Sequence, residues 1–256
     1  MCRMRKRIFL TLFFGILLIS CGFSQVNVRD SSIKAPMIIP NVGWCIPSAD
    51  MAKRFGQFTT VGFDFLYKNP KGLLFGTNAH FMFGSNVKET NMLEGILTSG
   101  DFLIGADGTL YDVRYQLRGF NGDLRFGKLL PIWGPNKNSG PFFTLGLGFI
   151  QHKIRIEYQR NADIPQISKE YLKGYDRLSN GAYAIPAMGY CYLSNNRRIN
   201  FFAQIEYLMA QTQNRRSFNY DQNASDPSKR NDGIFAVKVG WIIPLYERKP
   251  DEFYFY

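Results

Sequence analysis

From position 58 onward the chain alternates apolar with polar or small residues. Val61, Phe63, Phe65 and Tyr67 are interleaved with Gly62, Asp64 and Leu66. After Asn69, Pro70, Lys71 and Gly72, the alternation resumes, with Leu73, Phe75, Thr77, Ala79, Phe81 and Phe83 set against Gly76, Asn78, His80 and Gly84. Successive side chains of a strand point to opposite faces, so each segment reads as a strand with one apolar and one mixed face. The interruption between them contains Pro and Gly, which reverse a chain, and the two strands make a hairpin.

The pattern recurs along the chain. Tyr111, Val113, Tyr115 and Leu117 alternate with Asp112, Arg114, Gln116 and Arg118, after which the apolar face passes to Phe120, Leu124 and Phe126. That one-residue slip at Gly119 predicts a β-bulge. Phe143, Leu145, Leu147 and Phe149 form the next strand, which slips again near Gln151 and continues through Ile154, Ile156 and Tyr158. Then come Met188, Tyr190 and Tyr192; Phe201, Ala203, Ile205, Tyr207 and Met209; and Phe235, Val237, Val239, Trp241 and Ile243. A shorter first strand through Val42, Trp44 and Ile46 brings the count to eight. The connections after the second, fourth and sixth strands (69–72, 131–140, 194–198) are turn-like. Those after the first, third, fifth and seventh (48–56, 85–108, 160–175, 214–231) are mostly longer and polar.

Two solvents could suit such strands. A soluble β-sandwich or lipocalin-like barrel buries its apolar face, but here the alternate face carries Asp64, His80, Arg114, Arg118, Glu206 and Lys238. A transmembrane barrel turns its apolar face to lipid and its polar face to the lumen. After the amino-terminal segment no apolar run approaches the ~20 residues of a spanning helix, and only a closed ring of strands satisfies every backbone group in lipid. The predicted fold is all-β, an eight-stranded antiparallel up-and-down transmembrane β-barrel. Val61, Phe63, Phe65, Phe75, Phe81, Val239 and Trp241 are expected to face lipid, and Asp64, His80, Arg114, Arg118, Glu206 and Lys238 to form a polar network in the lumen. Aromatic residues make up 16% of the chain, and Tyr67, Tyr192, Trp241 and Tyr246 fall near strand ends, where interfacial girdles lie. Such barrels have short periplasmic turns and long outer loops, which puts both termini in the periplasm of a Gram-negative bacterium.

The first 24 residues read as an export signal: a basic start (Arg3, Arg5, Lys6, Arg7), an apolar core from Ile8 to Ile19, and a small-residue exit. Residues 25–37 are then a periplasmic lead, 38–247 the barrel and 248–256 a periplasmic tail. Two processing routes fit. Leu18, Ile19, Ser20 and Cys21 match the pattern before a lipidated cysteine, whereas Gly22, Phe23 and Ser24 suit cleavage before Gln25. Cleavage is preferred, because a barrel is already held in the membrane and gains little from acyl chains at Cys21.

Removing the signal takes four of 31 basic residues and leaves 27 against 20 acidic ones, about +7. A mild positive charge suits anionic lipid headgroups or lipopolysaccharide as well as an ordinary solvated surface. An exported chain with no compact Lys/Arg tract is a poor nucleic-acid binder. Cys45 and Cys191 fall on the first and sixth strands, too far apart around the ring for a disulfide, and are expected to be free, buried thiols. No CxxC or Cys/His cluster supports a metal or cofactor, and Gly146 and Gly148 alternate within a strand where a phosphate loop would open a helix. His80 and His152 are the only histidines, and neither lies in a recognisable catalytic motif.

The strings RFGQFTTVGFDFLYKN, GKLLPIWGPNKNSGPFFTLGLGFIQHKIRIE, YLKGYDRLSNG, TQNRRSFNYD and PLYERKPDEFYFY resemble eight-stranded outer-membrane barrels of Bacteroidota, in the broad OmpA-like class. The resemblance covers nearly the whole mature chain. It implies an outer-membrane barrel without a catalytic motif, with an accessory role beside secretion or assembly machinery. One departure is the tail after Tyr246, since the usual assembly signal is a terminal aromatic on the last strand. The sequence thus points to a non-enzymatic structural or accessory barrel with a largely plugged lumen; a narrow solute pore, an adhesin or an outer-membrane enzyme are the alternatives. The processing step is checked by N-terminal sequencing and fatty-acid labelling of the mature protein, expected to give Gln25 first and no label that depends on Cys21.

Overall fold

The computed structural model describes residues 32–159, 164–167, 171–195 and 199–245. The expected signal at 1–24 with Cys21, the end of the last strand at Tyr246 and the tail at 248–256 lie outside these residues. Among the described residues, eight long strands close into one antiparallel ring: β1 (Ala35–Ser48), β2 (Phe58–Lys68), β3 (Leu73–Gly84), β4 (Arg114–Leu129), β5 (Gly140–Glu157), β6 (Ser179–Leu193), β7 (Asn200–Asn214) and β8 (Lys229–Trp241, resuming at Ile243–Pro244). Each strand pairs with its neighbour in sequence, and β8 pairs with β1 to complete the circle, with Val42 opposite Val239 and Met37 opposite Pro244. Closure leaves no strand edge unpaired, as a wall in lipid requires.

Side chains alternate strictly between the two faces. The outward set includes Val42 and Trp44 on β1; Val61, Phe63 and Phe65 on β2; Phe75 and Phe81 on β3; and Phe120, Leu124 and Phe126 on β4, all exposed. It continues through Phe143, Leu145, Leu147 and Phe149 on β5, Ile205 and Met209 on β7, and Val237, Val239 and Trp241 on β8. An exposed apolar belt this broad is far beyond the patches water-soluble proteins tolerate. With a buried polar interior behind it, it makes this a transmembrane barrel.

Three expectations are corrected. The first strand is not short: it begins at Ala35, so Ala35, Pro36 and Met37, assigned to the lead, pair with Lys68, Tyr67 and Leu66 of the wall. The bulge expected at Gly119 does not form, because β4 pairs residue for residue with β3 from Gly84–Leu117 to Leu73–Lys128. Nor does β5 slip at Gln151, since its pairing with β4 runs unbroken from Arg114–Glu157 to Leu129–Phe142.

The polarity changes, not the register. Below Phe120 and Phe149 the outside is apolar and the inside polar. Above them Arg114, Gln116, Arg118, Lys153 and Arg155 turn outward, while Leu117, Ile154 and Ile156 are buried inside. A charged outer face and an apolar inner face are what a barrel in water needs, so the lipid boundary lies between Phe120 and Arg118 on β4.

The ends of the lumen are closed by chain. At the end carrying β1's start, Lys68 is fully buried and donates to Ile33 O (3.0 Å), Asn138 Oδ1 (2.9 Å) and Ser32 Oγ (3.2 Å), which ties the entering chain to the 130–139 turn. At the other end the helix α1 (Ala49–Arg54) puts Met51 into the mouth, followed by Phe55, both buried. If the belt is lipid-facing, Phe63→Arg should reduce insertion, at about 2 to 4 kcal/mol near the midplane. Arg118→Phe, above the belt, should leave insertion intact. The fraction of folded barrel on unheated gels reads both.

Candidate functional site

The deepest polar feature crosses the lumen. Asp64 on β2 accepts from Asn41 Nδ2 (3.0 Å) and lies 3.1 Å from His80 Nε2. His80 on β3 approaches Lys238 Nζ on β8 (3.3 Å), and Lys238 pairs with Glu206 Oε1 on β7 (2.7 Å). The other oxygen of Glu206 meets Arg125 Nη2 (3.0 Å), and Arg125 Nε meets Asp123 Oδ1 (2.8 Å). Asp123 also accepts from Tyr183 Oη (2.7 Å) and Asn78 Nδ2 (3.0 Å). The network thus draws on β1, β2, β3, β4, β6, β7 and β8. The remaining strand, β5, contributes glycine at this level. A Cβ on Gly148 would lie 2.5 Å from Asp123 Cβ, and one on Gly146 would lie 2.9 Å from Asp123 Oδ1. These glycines are the space into which Asp123 and Arg125 fold.

Four of the six residues expected in a lumen network, Asp64, His80, Glu206 and Lys238, are therefore brought together and buried. The other two are corrected. The Arg114 side chain is 77% exposed and pairs with Asp112 (3.3 Å), and Arg118 lies outside on the same face of β4. Their place as the lumen's guanidinium is taken by Arg125, with Asp123 as its carboxylate. Both follow from carrying the period of two through Gly119 without a slip. Asn41 and Tyr183 carried no sequence signal beyond their inward parity. The expected lipid-facing residues Val61, Phe63, Phe65, Phe75, Phe81, Val239 and Trp241 are all exposed on the outer wall. Cys45 and Cys191 are free and buried.

An apolar layer of Phe58, Met82, Leu117, Ile150 and Ile234 lies above the network, and a second polar cluster lies above that. Asp232 on β8 pairs with Arg54 Nη2 from α1 (3.0 Å) and with His152 Nε2 (3.0 Å), and accepts from Thr212 Oγ1 (2.6 Å). Burial lowers the Arg54 guanidinium from its ordinary range, and Asp232 opposes that shift. Phe55 closes over His152 edge-on at 5.7 Å between ring centroids. The bonded partners are Asn41, Asp64 and Lys238 for His80, and Asp232 for His152. In both clusters the histidine is buried and a ring nitrogen lies within 3.1 Å of a carboxylate.

Beyond α1, the outer connections pack on one another. Arg177 binds Glu89 Oε1 (3.0 Å) and Asp221 Oδ2 (2.6 Å), joining the 85–113, 158–178 and 215–228 connections. Beneath them Leu93, Leu103, Ile156, Ile164 and Ile167 form a small apolar core. A cleft of about 740 Å³ opens between the 85–113 connection and the start of β4, lined by Asn91, Glu94, Asp101 and Tyr115.

No family model and no curated protein matches the sequence. Among solved structures, the fold is similar to the crystal structure of Ail, the attachment invasion locus protein of Yersinia pestis, at 8% identity over 83% of this chain and 99% of that one, with a TM-score of 0.40. The same protein in complex with the heparin analogue sucrose octasulfate aligns at 10% identity over 82% and 99%, with a TM-score of 0.37.

Breaking a buried pair strands its partner, at about 3 to 5 kcal/mol. Glu206→Gln, which leaves Arg125 and Lys238 without their shared carboxylate, should sharply lower the temperature at which the folded gel band is lost. Arg114→Ala, on the exposed rim, should leave it unchanged.

Proposed function

We propose that this chain is a non-enzymatic outer-membrane β-barrel, a structural or accessory component whose lumen is plugged by its own side chains. Residues 1–24 direct export, both termini lie in the periplasm, and the four longer connections face outward. The observation that carries this reading is the ion-paired network from Asp64 to Tyr183, covered by an apolar layer and the α1 cap. A lumen filled in this way leaves the loops and the outer wall as the surfaces for other molecules. Those molecules are outer-membrane lipid, with lipopolysaccharide as the outer-leaflet form, and protein partners in secretion or assembly complexes.

One observation favours a second reading, a surface adhesin. Tyr220 packs against Tyr171, Tyr175 and Phe218 with centroids 6.1, 5.5 and 5.9 Å away, and Tyr171 and Tyr220 remain well exposed at the loop tips. Exposed tyrosines of this kind serve as rigid anchors at interfaces.

The purified protein in a planar bilayer should show no steady current. A steady current whose ion selectivity shifts in Glu206→Gln would replace the plugged barrel by a narrow pore. Affinity purification from outer membranes in mild detergent should recover a stable protein partner if the role is accessory.

A further inference from the structure

Two features of the outer wall meet on the same strands. One is a groove of about 450 Å³ in the lipid-facing belt, lined by Ala79 and Gly122 between Phe63, Phe81, Phe120 and Phe149. It exists because the register sets Ala79 of β3 beside Gly122 of β4, with Phe63 and Phe149 as their outer neighbours. Two adjacent strands there carry at most a methyl group, and the phenyl rings stand up around them.

The other feature lies directly above it. Phe120 is followed up β4 by Arg118, Gln116 and Arg114, all outward, and these sit opposite Lys153, Arg155 and Glu157 of β5. Arg118 is two residues from Phe120, roughly 7 Å along the strand. The carboxylates nearby are too few to neutralise this ladder. Glu157 is shared by Arg155 (3.2 Å) and Arg118 (3.9 Å), Asp112 serves Arg114, and Asp176 serves Lys153 (3.5 Å) while also bound by Arg216 (2.6 Å). Five cations meet three carboxylates. The excess is local: the first outward residues above the belt on β1, β2, β6, β7 and β8 are Ser48, Thr59, Asn180, Gln211 and Asn231, none of them charged, and β3 sets Phe83 beside Arg118.

An apolar groove at membrane depth with unneutralised cations at its upper end is complementary to one kind of molecule, an acyl chain joined to an anionic head. We propose that this wall binds a phosphate-bearing lipid of the outer leaflet, with an acyl chain on Ala79 and Gly122 and the phosphate at Arg118, Lys153 and Arg155. The proposal rests on the orientation given above, with the connections following β1, β3, β5 and β7 outside the cell.

The test is native mass spectrometry of the full-length barrel in micelles, titrated with bis-phosphorylated lipid A, its dephosphorylated form, or inorganic phosphate. Micelles have no sides, so this readout is independent of orientation, which protease treatment of intact cells reports separately. The expected result is lipid A bound in preference to its dephosphorylated form, with affinity falling roughly five-fold for each cation removed in Arg118→Gln, Lys153→Gln and Arg155→Gln. Ala79→Trp, which fills the groove and keeps every charge, should also weaken binding. Retention of the folded gel band controls for folding; if the triple variant does not fold, Lys153→Gln alone carries the test. Equal binding of the dephosphorylated lipid, wild-type affinity in the cation variants or in Ala79→Trp, or displacement of the lipid by inorganic phosphate would each overturn the proposal.

Discussion

Each strand of this barrel leaves lipid for water while still hydrogen-bonded in register, and that boundary determines which side chain belongs on which face. The backbone cannot respond to it, because a shift of one residue would exchange every inward and outward side chain of the strand. Only residue type can change. Phe120 and Phe149 are the last outward aromatics on β4 and β5, Arg118 and Lys153 are the first outward cations, and the inward positions turn from Asp123 and Arg125 to Leu117 and Ile154 across the same step. The wall is continuous, but it encloses a polar lumen at one level and a water-soluble type of core at the next.

That arrangement explains how strong charges persist in a narrow interior. A charge buried without a partner is very costly, and an eight-stranded ring has little room for water. The solution is to share carboxylates: Glu206 takes Lys238 on one oxygen and Arg125 on the other, while Asp123 is saturated by Arg125, Tyr183 and Asn78. Because these groups come from seven strands, the network holds only when every strand has its native register. It therefore specifies the fold as well as filling it, and the inward glycines Gly146 and Gly148 are the accommodation β5 makes to it.

Much of this was legible in the chain. Period-two patterning on strands such as β2, β3 and β7, together with alternating short and long connections, predicts eight antiparallel strands. The misplaced arginines and the bulge have one physical source. An outside that is lipid along the whole strand puts Arg114 and Arg118 inward, and on that assumption a change of solvent looks like a change of phase and a bulge at Gly119. The same assumption hid Asp123 and Arg125. The β1 lead failed differently: Ala35 and Pro36 alternate too weakly to read as strand, and only pairing with Lys68 and Tyr67 makes them part of the wall. Arg54 carries no periodic signal at all, since its role as a cap on Asp232 depends on α1 folding back over the mouth.

The boundary also limits where this protein can meet other molecules. The charged groups inside the ring are paired with one another: His80 lies between Asp64 and Lys238, and His152 Nε2 is held by Asp232 beneath Phe55. What is not saturated lies outside, where strands cross from one solvent to the other. There the wall cannot pair its cations as the lumen does, because the flanking strands offer them no carboxylate: β3 sets Phe83 beside Arg118, and β6 sets Asn180 beside Gln151. Arg118, Lys153 and Arg155 thus share too few carboxylates at the height where lipid headgroups begin. A barrel whose interior uses its charges to lock its strands has its remaining charge on the rim, and it is this charge, together with the groove below it, on which the proposed lipid site rests.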